Sequence, residues 1–231
     1  FVDPAKYRIY EELPLVSTGC DSYASWMPEF KDLSPMLTTD AIADRILEIL
    51  PFGEWRDEHL VITGGEPLLG WQRAYPDLLD HSSMSRLKEI TFETNGTQKL
   101  TEEFKEYLVK WQITNHQLNR EVTFSVSAKL PASGEKWEEA ICPEVVCEYE
   151  QVGTAYLKFV VATKEDIADA ERAVEEFRTA GFKGHVYLMP VGGVESVYTL
   201  NAKNVALAAM KRGWRYSDRL QVPLFKNAWG T

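Results

Sequence analysis

Cysteine is scarce in this sequence, and the three present, Cys20, Cys142 and Cys147, are odd in number and widely spaced. That pattern excludes a disulfide framework and leads to the expectation of a cytoplasmic chain. The four histidines, His59, His81, His116 and His185, share no metal-ligand spacing. No apolar run reaches the roughly 20 residues of a membrane-spanning helix, and the opening Phe1-Val2-Asp3-Pro4 does not read as a signal peptide. Positive charge is also short. With 25 Lys and Arg against 35 Asp and Glu, the net charge is −10 and no basic run occurs, which argues against a nucleic-acid surface. Repeats and low-complexity segments are lacking as well. What remains is 231 residues that are 45% hydrophobic, enough for a single domain spanning 1–231 with one sizeable core.

Strand-like runs recur along the chain. They centre on Leu60, Ile90, Val122, Leu157 and Val186, about thirty residues apart, the size of one βαβ unit. Helical patterns fall between them. Thr38-Thr39-Asp40 caps a helix with Ile42, Ile46, Leu47 and Leu50 on one face, closed by Pro51. Thr101 with Glu102 and Glu103 starts another that runs through Trp111. Lys164 to Ala180 carries Ile167, Ala170, Val174 and Phe177 on one stripe, and Asn201 to Arg212 ends at Gly213. A first strand or extended lead-in is expected over Tyr7 to Val16, and a last strand over Leu220 to Phe225. Trp137 to Tyr149 stays ambiguous. Alternating strand and helix predicts an α/β fold with mainly parallel strands, whose ligand sits at the strands' carboxyl ends.

Those ends hold the sequence's polar and glycine-rich residues. Thr63-Gly64-Gly65-Glu66-Pro67 closes the strand at Leu60, and Glu93-Thr94-Asn95-Gly96 closes the next. Ser127-Ala128-Lys129 and Met189-Pro190-Val191-Gly192 close two more. Paired glycines let backbone approach a ligand closely, and Glu66 adds an acceptor at the same edge. A plain βα turn would use paired glycines too, but four such ends on one rim describe a site.

Gly64-Gly65-Glu66-Pro67 followed by Glu93-Thr94-Asn95-Gly96 resembles the radical S-adenosylmethionine superfamily. Within it, Ser127-Ala128-Lys129 resembles a Ser-Pro-Lys element of the lyases that form 7-carboxy-7-deazaguanine, with Ala128 in the proline's place. Met189-Pro190 and the stretch from Gly213 to Gln221 also resemble that group, so the likeness runs from about Tyr7 to the end. It implies an incomplete (β/α) barrel, a 4Fe–4S cluster, S-adenosyl-L-methionine and Mg²⁺. The implied reaction, a carbon–nitrogen lyase step of queuosine-type 7-deazapurine biosynthesis, takes 6-carboxy-5,6,7,8-tetrahydropterin to 7-carboxy-7-deazaguanine with loss of ammonia. The pterin is the small-molecule partner, an electron donor such as flavodoxin supplies reducing equivalents, and a homodimer is expected.

Carried over residue by residue, the resemblance makes Cys20 a cluster ligand and Ser22 an Mg²⁺ ligand. Gly64, Gly65, Glu66, Asn95, Ser127, Ala128, Lys129, Met189, Pro190, Val191 and Gly192 would contact S-adenosylmethionine, Glu66 through its ammonium. Thr63, Gln221 and the terminal Thr231 fall at substrate positions, although the family often has histidine where Gln221 stands. Blander readings stand beside these: a turn serine at 22, a solvated lysine at 129 and a simple turn at 189–192. The sequence departs from the family at the cluster, which needs three closely spaced cysteines. Here Gly19 leads straight to Cys20-Asp21-Ser22. Three explanations are open: residues belonging between Gly19 and Cys20 are absent from this sequence, the favoured one; the chain is a variant that lost the loop; or Cys142 and Cys147 supply ligands from elsewhere. Their spacing makes the third poor, and two partly buried thiols are the simpler account. Two other functions therefore stay in view, a different superfamily member such as a glycyl-radical activase, and a barrel without a cluster that only binds S-adenosylmethionine or a pterin.

Overall fold

A single six-stranded sheet organises the computed structural model, which describes residues 6–9, 12–14, 23–25, 27–33, 35–114, 118–192 and 195–226, with backbone alone for 33 and 195–200. The strands are β1 (Leu60–Ile62), β2 (Glu89–Thr94), β3 (Glu121–Val126), β4 (Thr154–Val161), β5 (Val186–Pro190) and β6 (Arg215–Tyr216). They lie in chain order and every neighbouring pair is parallel. Parallel neighbours cannot be joined by tight turns, so each connection carries helix. After α1 (Thr39–Ile49) come α2 (Tyr75–Leu79), α3 (Glu102–Thr114), α4 (Trp137–Ala140) with α5 (Pro143–Val152), α6 (Lys164–Thr179) and α7 (Glu195–Lys211). Among the described residues β1 and β6 do not pair, so the sheet is open. The expected α/β architecture is borne out, and an open run of parallel strands in chain order is consistent with an incomplete (β/α) barrel.

Strand alternation sorts the residues onto two faces. Ile90 and Phe92 of β2, Val122, Phe124 and Val126 of β3, and Leu157, Phe159 and Val161 of β4 are buried in one core with the helices. Aromatic rings bind that layer together. Phe92 lies 5.7 Å from Phe124 and 5.9 Å from Phe104 of α3, and Phe124 stacks 4.6 Å from Tyr149 of α5. The opposite, inner face presents Thr91, Glu93, Thr123, Ser125, Tyr156, Lys158 and Tyr187, the residues one step out of phase. A smaller core of Leu13, Tyr23, Ala24 and Phe30 forms within the amino-terminal segment, with Tyr7 and Met27 packed against it.

Local signals account for the helix ends. Thr38 accepts from Ala41 N at 3.2 Å and starts α1 where expected. At α6, Thr163 and Asp166 form a reciprocal capping box, with Asp166 Oδ2 accepting from Ala162 N at 2.8 Å and Thr163 N at 3.0 Å. Asp166 is therefore buried and structural.

Three readings change. Leu220 to Phe225 is not a strand: Gln221–Phe225 is helix α8. Two-residue β6 already occupies the edge of β5, and Ser217 N continues that ladder to Leu188 O at 2.9 Å. Pro223 sits in the first turn of α8, where a missing N–H costs nothing, so the segment folds back as one helical turn. The strand expected from Tyr7 lies partly outside the described residues, and the described ones, 7–9 and 12–14, form no strand. The ambiguous stretch resolves into α4 and α5, with Pro143 at the first position of α5.

Candidate active site at the carboxyl ends of the strands

Because all six strands run the same way, the four polar ends meet on one rim. Gly64 and Gly65 follow β1 with φ of +91° and +27°, a turn that side-chain-bearing residues rarely make. It delivers Glu66 to the end of β2. There Glu66 Oε1 accepts from Thr94 Oγ1 at 2.7 Å and Leu68 N at 3.1 Å, and Oε2 accepts from Asn95 N at 2.7 Å. Glu66 is thus a brace between two strand ends as well as a candidate ligand for a cation. Three of about four acceptor positions are filled, which leaves room for one further donor such as an ammonium. Beneath it, Tyr75 donates to Pro67 O at 2.6 Å; burial first, then the Glu66 charge, push that phenol well above its usual range.

The second and third strand ends are tied together in turn. Asn95 Oδ1 accepts from Thr97 N and Thr97 Oγ1, closing a polar turn, and Ser127 N donates to Thr94 O at 2.8 Å. Ala128 is buried, whereas Lys129 is exposed beside it. Ladder bonds extend the fifth end likewise: Val191 N reaches Val161 O at 3.1 Å, with Gly192 buried at φ +123°. The structure therefore brings Thr63, Gly64, Gly65, Glu66, Asn95, Ser127, Ala128 and Lys129 onto three adjoining strand ends. Met189, Pro190, Val191 and Gly192 stand on the same edge two strands further on. Gln221 belongs instead to α8, past the last strand, and is half-buried there. Cys20, Ser22 and Thr231 lie outside the described residues.

Several contributors carry little or no mark in the sequence. Ser25, in the short turn Tyr23–Ser25, accepts from Gly65 N at 2.8 Å and so fastens the amino-terminal segment to the glycine turn. No local pattern marks it, because its partner is 40 residues away. Lys158 bonds Glu93 Oε1 at 3.0 Å across β3. A lone lysine within the apolar run Tyr156-Leu157-Lys158-Phe159-Val160 is its available signal. Further down the inner face, Arg215 donates to Tyr187 Oη at 2.8 Å, and its second amino nitrogen lies 2.9 Å from His185 Nε2.

The remaining thiols do not join this rim by any bond. Cys142 and Cys147 flank the start and middle of α5 and point to the carbonyls of Glu139 and Ala180. Burial first, then neighbouring glutamates, raises both thiols and disfavours the thiolates a metal needs. Among the described residues no group of three His, Cys, Asp or Glu side chains is placed to hold a metal ion.

An open parallel α/β sheet with a braced, glycine-rich rim is the layout of α/β enzymes that bind small ligands at their strand ends. Comparison with known proteins narrows that class. The chain is 28% identical over 228 residues to the 7-carboxy-7-deazaguanine synthase of Pyrobaculum aerophilum, covering 98% of this chain and 88% of that protein. It is 29% identical over 216 residues to the enzyme of the same name from Halobacterium salinarum, covering 90% and 78%. With that of Rhodopirellula baltica the identity is 27% over 228 residues, covering 92% and 75%. The resemblance read from the motifs is borne out, and the likeness supports an enzyme of this type. No family model matches the chain, and no solved structure matches it.

Proposed function

We propose that this chain is a radical S-adenosylmethionine enzyme that converts 6-carboxy-5,6,7,8-tetrahydropterin to 7-carboxy-7-deazaguanine with loss of ammonia. The observation that carries this reading is the similarity to three proteins named for that product across at least 90% of the chain. The rim geometry agrees with it. Glu66 retains one acceptor position for the methionyl ammonium, and the exposed Gly65, whose N–H is held by Ser25, carries no side chain to bar close approach. Asn95, Ser127, Ala128 and Lys129 would line the rest of the cofactor, with Met189 to Gly192 against its adenine. Thr63 and Gln221 are the described substrate candidates; Thr231 and the Mg²⁺ candidate Ser22 complete the set.

S-adenosylmethionine, when bound, supplies the hydrogen-abstracting radical in this class, and the protein's task is to place substrate and cofactor and to exclude water. The 4Fe–4S cluster is a different case. Cys20 alone stands in register with the motif, and the two thiols on α5 are raised by burial and turned to carbonyls. The α5 thiols therefore do not supply the two ligands wanting beside Cys20, and the proposed reaction requires that the cluster residues absent between Gly19 and Cys20 be present in the intact protein. That observation keeps a second reading alive, a barrel that binds S-adenosylmethionine or a pterin without turnover. A cytoplasmic homodimer served by a flavodoxin-type donor belongs to the first reading.

Anaerobic reconstitution of the intact protein, with any residues that belong between Gly19 and Cys20, using iron and sulfide and then S-adenosylmethionine, Mg²⁺, reductant and the carboxytetrahydropterin, tests both by mass spectrometry. Formation of 7-carboxy-7-deazaguanine is the expected result. Cleavage to 5′-deoxyadenosine with the pterin intact would keep the superfamily and discard this substrate, as a glycyl-radical activase requires. Absence of iron uptake and turnover, with ligand binding retained, would establish the second reading. Glu66→Gln should weaken S-adenosylmethionine binding about tenfold or more, the scale of one charge-assisted hydrogen bond.

A further inference from the structure

We propose that Lys158 is a positioning residue for the substrate site, holding the Glu93 carboxylate on the inner face so that its free oxygen meets the substrate. The inference rests on the function just proposed. Glu93 ends the inner-face row of β2, one residue before Thr94, which points to the opposite face and supports Glu66. Lys158 rises from β4 and crosses β3 to reach Glu93 Oε1 at 3.0 Å. Its side chain is 14% exposed against 40% for Glu93, so the lysine is enclosed and the carboxylate is open on one side. Between them lies Ser125, the register partner of Glu93, with no exposed surface and with an Oγ that has no hydrogen-bond partner among the described residues.

The hydrogen-bond inventory of this group is incomplete. An ammonium has three protons to place, and Lys158 places one among the described residues. Glu93 Oε2 receives no donor among the described residues. Enclosing a lysine is costly unless its charge is met, and a purely structural position between Leu157 and Phe159 would be served by an apolar side chain. Retained charge with unused capacity on both partners marks a site prepared for a ligand edge bearing N–H donors beside a carbonyl. The amino-oxo pyrimidine edge of a pterin has that composition. Glu93 would accept from its N–H groups, while Lys158 holds the carboxylate in one orientation.

The test uses the full chain in the assay above, with Lys158→Met, Lys158→Arg and Glu93→Gln compared with wild type. Lys158→Met is expected to raise KM for the pterin about tenfold, the effect of one charge-assisted hydrogen bond, with KM for S-adenosylmethionine unchanged. Glu93→Gln should show the same selective change, the double variant should be no worse than the worse single variant, and Lys158→Arg should keep most of the affinity. If Lys158→Met does not fold, Glu93→Gln at the half-open position and Lys158→Arg carry the comparison. A fall in kcat with both KM values unmoved indicates lost folded protein and overturns the inference, as does wild-type behaviour of the variants. Wild type that forms product while the variants keep the pterin KM overturns this inference alone; wild type that forms none removes the proposed function and this inference with it.

Discussion

The two faces of the sheet are built from adjacent residues and do opposite things. Phe124 and Ser125 are neighbours on β3, and both are fully buried. Phe124 faces the helices and has Phe92 and Tyr149 against its ring. Ser125 faces inward, between an ion pair, with a hydroxyl that finds no partner among the described residues. The helix face is mostly apolar, stacked and enclosed, with Thr94 and the buried Trp111 Nε1 as its polar exceptions. The inner face is held open in the chemical sense, with Glu93 Oε2, the spare protons of Lys158 and Ser125 Oγ all short of partners among the described residues. Stability is concentrated on one face and binding capacity on the other, so substitutions one residue apart should separate the two.

The largest effect is expected at Phe124. Phe124→Ala removes a ring packed on two others and should cost about 3–5 kcal/mol of unfolding free energy, measured by urea denaturation. A cost below about 1 kcal/mol would mean that the helix face is not the stabilising one. Gly96→Ala comes next. The residue has φ +81°, and a Cβ there would lie 2.6 Å from Val126 Cγ1 and 3.2 Å from Val146 Cγ2. Strain and overpacking together should destabilise by about 1–3 kcal/mol, and by shifting the Asn95 turn the change should also weaken S-adenosylmethionine binding. Binding at wild-type strength would detach that turn from the site. Ser125→Ala should be smallest, within about 0.5 kcal/mol of wild type or slightly more stable, since its hydroxyl forfeits no bond. A loss of about 2 kcal/mol would show that the inner face is already satisfied there.

Much of this division is legible in the order of the residues. Alternation in Ile90-Thr91-Phe92-Glu93 and Val122-Thr123-Phe124-Ser125 marks two-faced strands, and turn residues after them mark the rim. The helix caps at Thr38 and Thr163 are local chemistry and fall where the residues put them. Less legible is anything decided by a distant partner. Asp166 has the look of a surface acid because its burial comes from the capping box closing over it. Glu66 has the look of a ligand group, and its role as a brace emerges only when Thr94 and Asn95 arrive from 28 and 29 residues away. Leu220 to Phe225 has the composition of a strand, but the sheet edge is already taken by β6.

The sequence by itself determined the repeating strand–helix order, the parallel sheet that follows from it, and the polar strand ends that such a sheet must place on one edge. Periodicity and turn chemistry act over a few residues, so they can be read without the fold. Only the tertiary structure decided which carboxylates are committed and which are free, that Ser25 fastens the glycine turn, and that Lys158 reaches Glu93 across an intervening strand. Those are contacts between residues far apart in the chain, and their partners exist only once the sheet has been assembled.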